Sequence, residues 1–254
     1  MISNSNSLLP SILRWTPSGR VLVFFLSATS IWCLLSEFYG IMSMRNFALW
    51  IMIPASIALV ALGLIDWEEW RASRTSPTGG TSPMKSVPPH AGSLARALII
   101  GATAGFIAAV AYDIFRLPFV FSNAWGLEAV VPEMNLFKVF PRFGAMLLGQ
   151  PLEQESYSLG THMLGWAYHF SNGMTFGIMF IALIGDTSRR GIAFTVIAGV
   201  IMATVLEAGM LFSPYTKFFS IHLTTTFVVV TLTAHLIFGA VMGWVTKKWQ
   251  PRLA

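Results

Sequence analysis

Charge is scarce in this chain. Asp, Glu, Lys and Arg make up only 11% of its 254 residues, against about 25% in soluble domains. That deficit, with several long apolar runs, excludes an ordinary soluble globular protein and indicates a polytopic helical membrane protein whose solvent is the lipid bilayer. Cysteine is almost missing. Cys33 stands alone, which excludes an intramolecular disulfide and any cysteine-based zinc or iron–sulfur set. No basic cluster with interleaved aromatics occurs, so nucleic acid is not an expected partner. The chain also lacks a phosphate loop, a Gly-x-Gly-x-x-Gly turn, a serine-hydrolase elbow and a seven-helix retinal lysine.

What is present is an all-α pattern. Six stretches, at about 20–37, 46–66, 95–115, 160–184, 191–211 and 222–246, have room for the roughly 20 apolar residues a span needs. Tryptophans such as Trp67, Trp70, Trp244 and Trp249 fall near their ends, as an interfacial aromatic belt requires. The run from Val21 to Leu35 follows Arg14 and Arg20 like a signal-peptide core, but no small-x-small cleavage site follows it, and a retained helix is expected. A Pro-, Gly- and Ser-rich linker from Arg71 to about residue 94 separates a two-helix N-terminal module (1–70) from a four-helix core (95–254). With both termini inside, eleven Lys and Arg lie on the inner side, Arg14, Lys85 and Arg252 among them, against five outside; this predicts cytoplasmic termini. The longest outer segment, 117–159, contains an apolar stretch from Met134 to Gly149 interrupted by Pro141. It reads as an interfacial or re-entrant helix, either a lid or a linker.

The core carries a pattern that occurs twice. Gly105, Ala109 and Asp113 match Gly199, Ala203 and Glu207 without a gap, and His169, Gly173 and Gly177 match His235, Gly239 and Gly243. Equivalent helices run in the same direction, so the halves would be parallel repeats about an axis along the membrane normal. The glycines form small-xxx-small ridges that allow close helix approach. At 1.5 Å per residue, Asp113 and Glu207 lie roughly 24–26 Å from the inner edge, His169 roughly 22 Å and His235 roughly 17 Å. All four fall beyond the midplane on the outer side.

Ionisable groups at membrane depth are functional-site candidates by default. The candidates are Glu207, His169, His235 and Asp113, with Arg116 three residues after Asp113 as an ion-pair partner and His162 two turns from His169 on about the same face. Pro118 is expected to end the Asp113 helix. Glu207 has only apolar or small neighbours and needs a partner from another helix: His169, His235 or Arg116. Tyr168, Asn172 and His222 form a second tier, His222 because thirteen residues rotate it away from the His235 face.

Three functions fit these residues. The first is proton or small-solute transport. The second is a metal ion held by His169, His235 and Glu207, or a b-type haem between the two histidines. The third is a non-catalytic subunit or assembly factor, within a homo-oligomer or a larger membrane complex. The segments AYHFSNGMTFGIMF (167–180), VLEAGMLF (205–212) and AHLIFGAVMGW (234–244) resemble helices of uncharacterised bacterial multi-pass inner-membrane proteins. The resemblance spans about 95–246, leaves out the first two helices, and implies an inner-membrane location without an activity.

Overall fold

A computed structural model describes residues 15–75, 92–187 and 189–250. All of its regular structure is helical: α1 (Pro17–Phe38), α2 (Met44–Phe47) running through a π turn (Ala48–Met52) into α3 (Ile53–Thr75), α4 (Ser93–Val120), α5 (Val139–Leu148), α6 (Leu159–Ile184), α7 (Ile192–Phe212), α8 (Tyr215–Phe218) and α9 (Thr225–Trp249). Among the described residues six helical stretches are long and apolar enough to cross a membrane, making this a polytopic helical bundle.

Several ends differ from expectation, each for a local reason. Helix α3 continues through residues 71–75, which the sequence assigns to the linker; the linker's middle, with Lys85, lies outside the described residues, as do Arg14 and Arg252. The π turn stands just before Pro54, whose ring would clash with the carbonyl four residues back in a regular helix. Pro118 does not end α4, which continues to Val120. Losing one intrahelical bond in a last turn is tolerated, and Phe121 closes the turn by donating to the Leu117 carbonyl at 2.9 Å. Nor does Pro141 interrupt α5: the helix starts at Val139, so the proline occupies the first turn, where its missing N–H has no intrahelical acceptor to lose.

Two glycine-mediated helix pairs build the core. Gly105 of α4 meets Gly173 of α6 backbone to backbone, and one turn away Gly101 meets Gly177. A Cβ built on Gly173 would lie 2.7 Å from that of Ala109. In the second pair Gly199 of α7 meets Gly239 of α9, and Gly243 abuts Thr195. Under the sequence alignment these contacts are equivalent position by position, so the repeat seen in residue types is also a repeat of packing. Without a hydrophobic driving force between helices in lipid, such close approach maximises dispersion contacts. The pairs join through α4 and α9, around Ala104, Ala108, Ala203, Phe238 and Met242. The pair that the repeat relates to α4 and α9, α7 with α6, barely touches, which leaves space between them.

The first helices are fastened to this core at helix ends. Arg20 of α1 donates to the carbonyls of Ala182 (2.8 Å) and Leu183 (2.6 Å) in the last turn of α6, a cation at a helix C-terminus. Asp66 of α3, fully buried, accepts from the Ala95 N–H at 3.0 Å in the first turn of α4, an acid at a helix N-terminus. Higher up, Ser30 of α1 and Thr175 of α6 share a 2.6 Å hydroxyl contact.

The glycine contacts yield the first test. Gly105→Ala and Gly199→Ala place a methyl group against a facing backbone, and each is expected to destabilise the purified protein by about 1–3 kcal/mol. Gly209→Ala, whose Cβ would meet nothing within 4 Å, is expected to be neutral or slightly stabilising. Thermal unfolding in detergent checks both. Equal effects at the three positions would show that the close crossings do not carry the fold.

Candidate functional site

The four deeply placed ionisable residues come together, and each acid takes the histidine of its own repeat. His169 Nε2 donates to Asp113 Oδ2 at 2.8 Å. His235 Nδ1 lies 3.3 Å from Glu207 Oε2 and 2.9 Å from the Thr231 carbonyl oxygen. Both neighbours of that nitrogen are acceptors, so Nδ1 carries the proton. His235 Nε2 and His169 Nδ1 have no hydrogen-bond partner among the described residues. The pairs form because the glycine ridges hold α4 on α6 and α7 on α9, with acid and histidine on the same side of each crossing.

Arg116 fills the place beside the first pair. Its Nη1 reaches Asp113 Oδ1 at 3.5 Å and its Nη2 donates to the Leu136 carbonyl at 2.6 Å. The guanidinium sits over the rings of Tyr112 (4.7 Å), Phe137 (5.1 Å) and Phe140 (5.6 Å) and is almost completely buried. Asp113 therefore has two cationic or potentially cationic partners. Glu207, also buried, has only His235 among the described residues. Tyr112 connects the two pairs: its ring centroid lies 4.9 Å from that of His235 and 6.0 Å from that of His169.

These residues surround a cavity of about 510 Å³ between α6 and α7, within the roughly 300–1,000 Å³ of small-molecule sites. Glu207, His169, His235, Arg116 and Tyr112 line it, and Ala109, Gly173, Phe176 and Phe238 contribute small and apolar wall. Helix α5 supplies Val139, Phe140, Arg142 and Phe143. From Val139 to Met146 its residues are all buried, so α5 is inserted among the other helices rather than laid on a surface. Gly144 of α5 and Gly165 of α6 make this insertion close, each meeting the other helix's backbone. Beside α5, residues 219–222 complete the wall, with Ser220 in left-handed backbone geometry (φ 52°). Burial pushes the hydroxyl of Tyr215, next to this segment, well above its ordinary pKa.

Some expected members lie elsewhere. His162 is exposed and packs near the Tyr157 ring, not in the cavity wall; two turns of rise carry it beyond the site. Tyr168 points to α1, where its hydroxyl donates to the Ser30 carbonyl at 2.7 Å. His222 moves the other way. Helix α9 begins only at Thr225, so the rotation argument does not apply, and the exposed His222 lines the cavity. Asn172 also lines it, with a buried Oδ1 that lacks a hydrogen-bond partner.

Arg142 and Tyr112 belong to the site without having been expected there. Arg142 stands in an apolar run, the same signal that singled out Glu207. Tyr112 carries no such signal, because an aromatic beside an acid is ordinary in a membrane helix.

The donor set does not suit a metal held by His169, His235 and Glu207. Among the described residues no three His, Cys, Asp or Glu side chains converge as a ligand set. Each histidine turns one nitrogen to its own acid, and the Tyr112 ring packs against both, where a haem bridging them would have to fit.

Removing the charge of Asp113 leaves the Arg116 guanidinium buried and uncompensated. Asp113→Ala is expected to cost about 3–5 kcal/mol, and Glu207→Gln, which strands no permanent charge, clearly less. Unfolding of the two variants in the same detergent measures the order, and a larger loss for Glu207→Gln would refute the assignment. Among known proteins, no family model, no curated protein and no solved structure matches the chain.

Proposed function

We propose that this chain is a bacterial inner-membrane transport protein that moves protons, coupled to a small polar solute, through the cavity between α6 and α7. The observation that carries this reading is the pair of acid–histidine contacts at equivalent positions of a tandem helix repeat, both facing one cavity and both packed against Tyr112. Acid–histidine groups at membrane depth are the usual material of proton relays. A site at the interface of internal repeats is the usual arrangement in secondary transporters.

In this reading Glu207 and His235 exchange protons with the cavity, since Glu207 pairs with no permanent cation among the described residues. Asp113 and His169 form the second station, with Arg116 beside Asp113. The cavity faces outward, with both termini in the cytoplasm. Small residues and Phe176 and Phe238 close its inner end. Passage then requires the two glycine-bound pairs to part along the α4–α9 seam while each pair moves as a unit.

Purified protein in proteoliposomes with a pH-sensitive dye inside tests the chemistry. Glu207→Gln and His235→Ala are each expected to cut proton flux by roughly tenfold or more; unchanged flux in both variants would end this reading. Orientation has its own test. Cys33, the single cysteine, is buried, so Glu128→Cys supplies one accessible thiol on the α5 side of the bundle. A membrane-impermeant maleimide is expected to label it in intact spheroplasts. Labelling only after lysis would invert the topology.

A further inference from the structure

We infer that the cavity takes a small organic anion, a carboxylate or phosphate with an apolar body. This deepens the solute reading above and rests on it. The charge of the wall carries the inference. Three permanent cations line the cavity, Lys138, Arg116 and Arg142, and Glu207 is the one carboxylate among the lining residues. Asp113 touches Arg116 and His169 from outside that lining.

The cations differ in how firmly they are held. Arg116 is committed to Asp113, the Leu136 carbonyl and three rings. Arg142 has the more exposed acid partner, Glu153 against the nearly buried Asp113. It is 8% exposed; Nη1 donates to the Phe219 carbonyl at 3.1 Å, and Nη2 pairs with Glu153 at 2.5 Å. Its Nε, like that of Arg116, is buried without a hydrogen-bond partner among the described residues. The Glu153 carboxylate lies outside the cavity lining and its side chain is 59% exposed. Solvent-exposed carboxylates contribute little to an ion pair and are readily replaced. A ligand anion can therefore take the place of Glu153 on Arg142 and gain a bidentate contact.

Lys138 stands one turn earlier, immediately before α5, and forms no ion pair among the described residues. The first residues of α5 line the cavity, so the positive end of that helix adds to the same field. The rest of the wall suits an apolar body: Phe176, Phe227, Phe238, Leu206 and Met210 face the same space. Soluble aromatic or aliphatic carboxylates and anionic lipid headgroups share this chemistry.

The test uses the full chain in nanodiscs of zwitterionic lipid, titrated with benzoate and, as a cation of similar size, benzylammonium. Benzoate is expected to raise the unfolding midpoint in a saturable way, and benzylammonium is not. Arg142→Gln is expected to weaken benzoate binding roughly tenfold or more, and Lys138→Gln, at an exposed position that leaves folding intact, roughly threefold or more. The proposal falls if benzylammonium binds as well as benzoate, if benzoate fails to bind at about 10 mM, or if Lys138→Gln binds it unchanged. Anionic lipid in the nanodisc separates the two sources. Competition with benzoate assigns the site to a headgroup, and its absence to a soluble anion; both support the anion site. Benzoate binding with proton flux indifferent to Glu207→Gln would keep the anion site and remove the proton-transport reading. Glu207-dependent flux without benzoate binding would do the reverse.

Discussion

Backbone-to-backbone contact at glycine is the constraint on which this structure depends. At Gly105–Gly173 and Gly199–Gly239 no side chain separates the paired helices. Helix association in lipid draws on dispersion and hydrogen bonding rather than on the hydrophobic effect, so the distance of approach determines how strongly two helices hold. The close crossings pack α4 with α6, and α7 with α9, into two tight pairs. They also set the register. Within each unit the acid and the histidine lie to the same side of the glycine contact, near enough to bond. The site is a consequence of the packing.

The two units have the same packing but different chemistry. In the first, Arg116 and Tyr112 flank Asp113; at the matching positions of the second stand Met210 and Leu206. One acid is held by a permanent cation sheltered among aromatic rings, and the other has a histidine alone among the described residues. The contacts between units differ too: α4 lies along α9 while α6 and α7 stand apart, and the cavity takes up that difference.

Elements outside the repeat close the cavity. Helix α5 is inserted through its own glycine crossing with α6, bringing Arg142 and Lys138 to the wall, and the segment after α8 adds His222 and Ser220. The N-terminal helices support α4 and α6 from the other side. Asp66 and Arg20 hold them there by satisfying backbone groups at a helix start and a helix end, where the helix dipole favours those charges.

Much of this was legible in one dimension, for a physical reason. A bilayer requires about 20 apolar residues per span and satisfied backbone groups throughout, so six helices can be read from composition and run length. It penalises buried charge, so Asp113, Glu207, His169 and His235 stand out against their surroundings. The four-residue spacing of small residues is a property of helix geometry and marks the close faces. Tertiary structure alone decided the partners. Spacing left three candidates for Glu207, and only the α7–α9 crossing selects His235. It also decided the directions of Tyr168 and His162, which share helix α6 with His169 but face α1 and the surface, and the start of α9, which brings His222 to the cavity. Arg142 is seventy-seven residues from its Phe219 contact. A contact across that distance leaves no periodic trace in the chain, because it is set by how helices from different parts of the sequence pack and not by the pitch of any one of them.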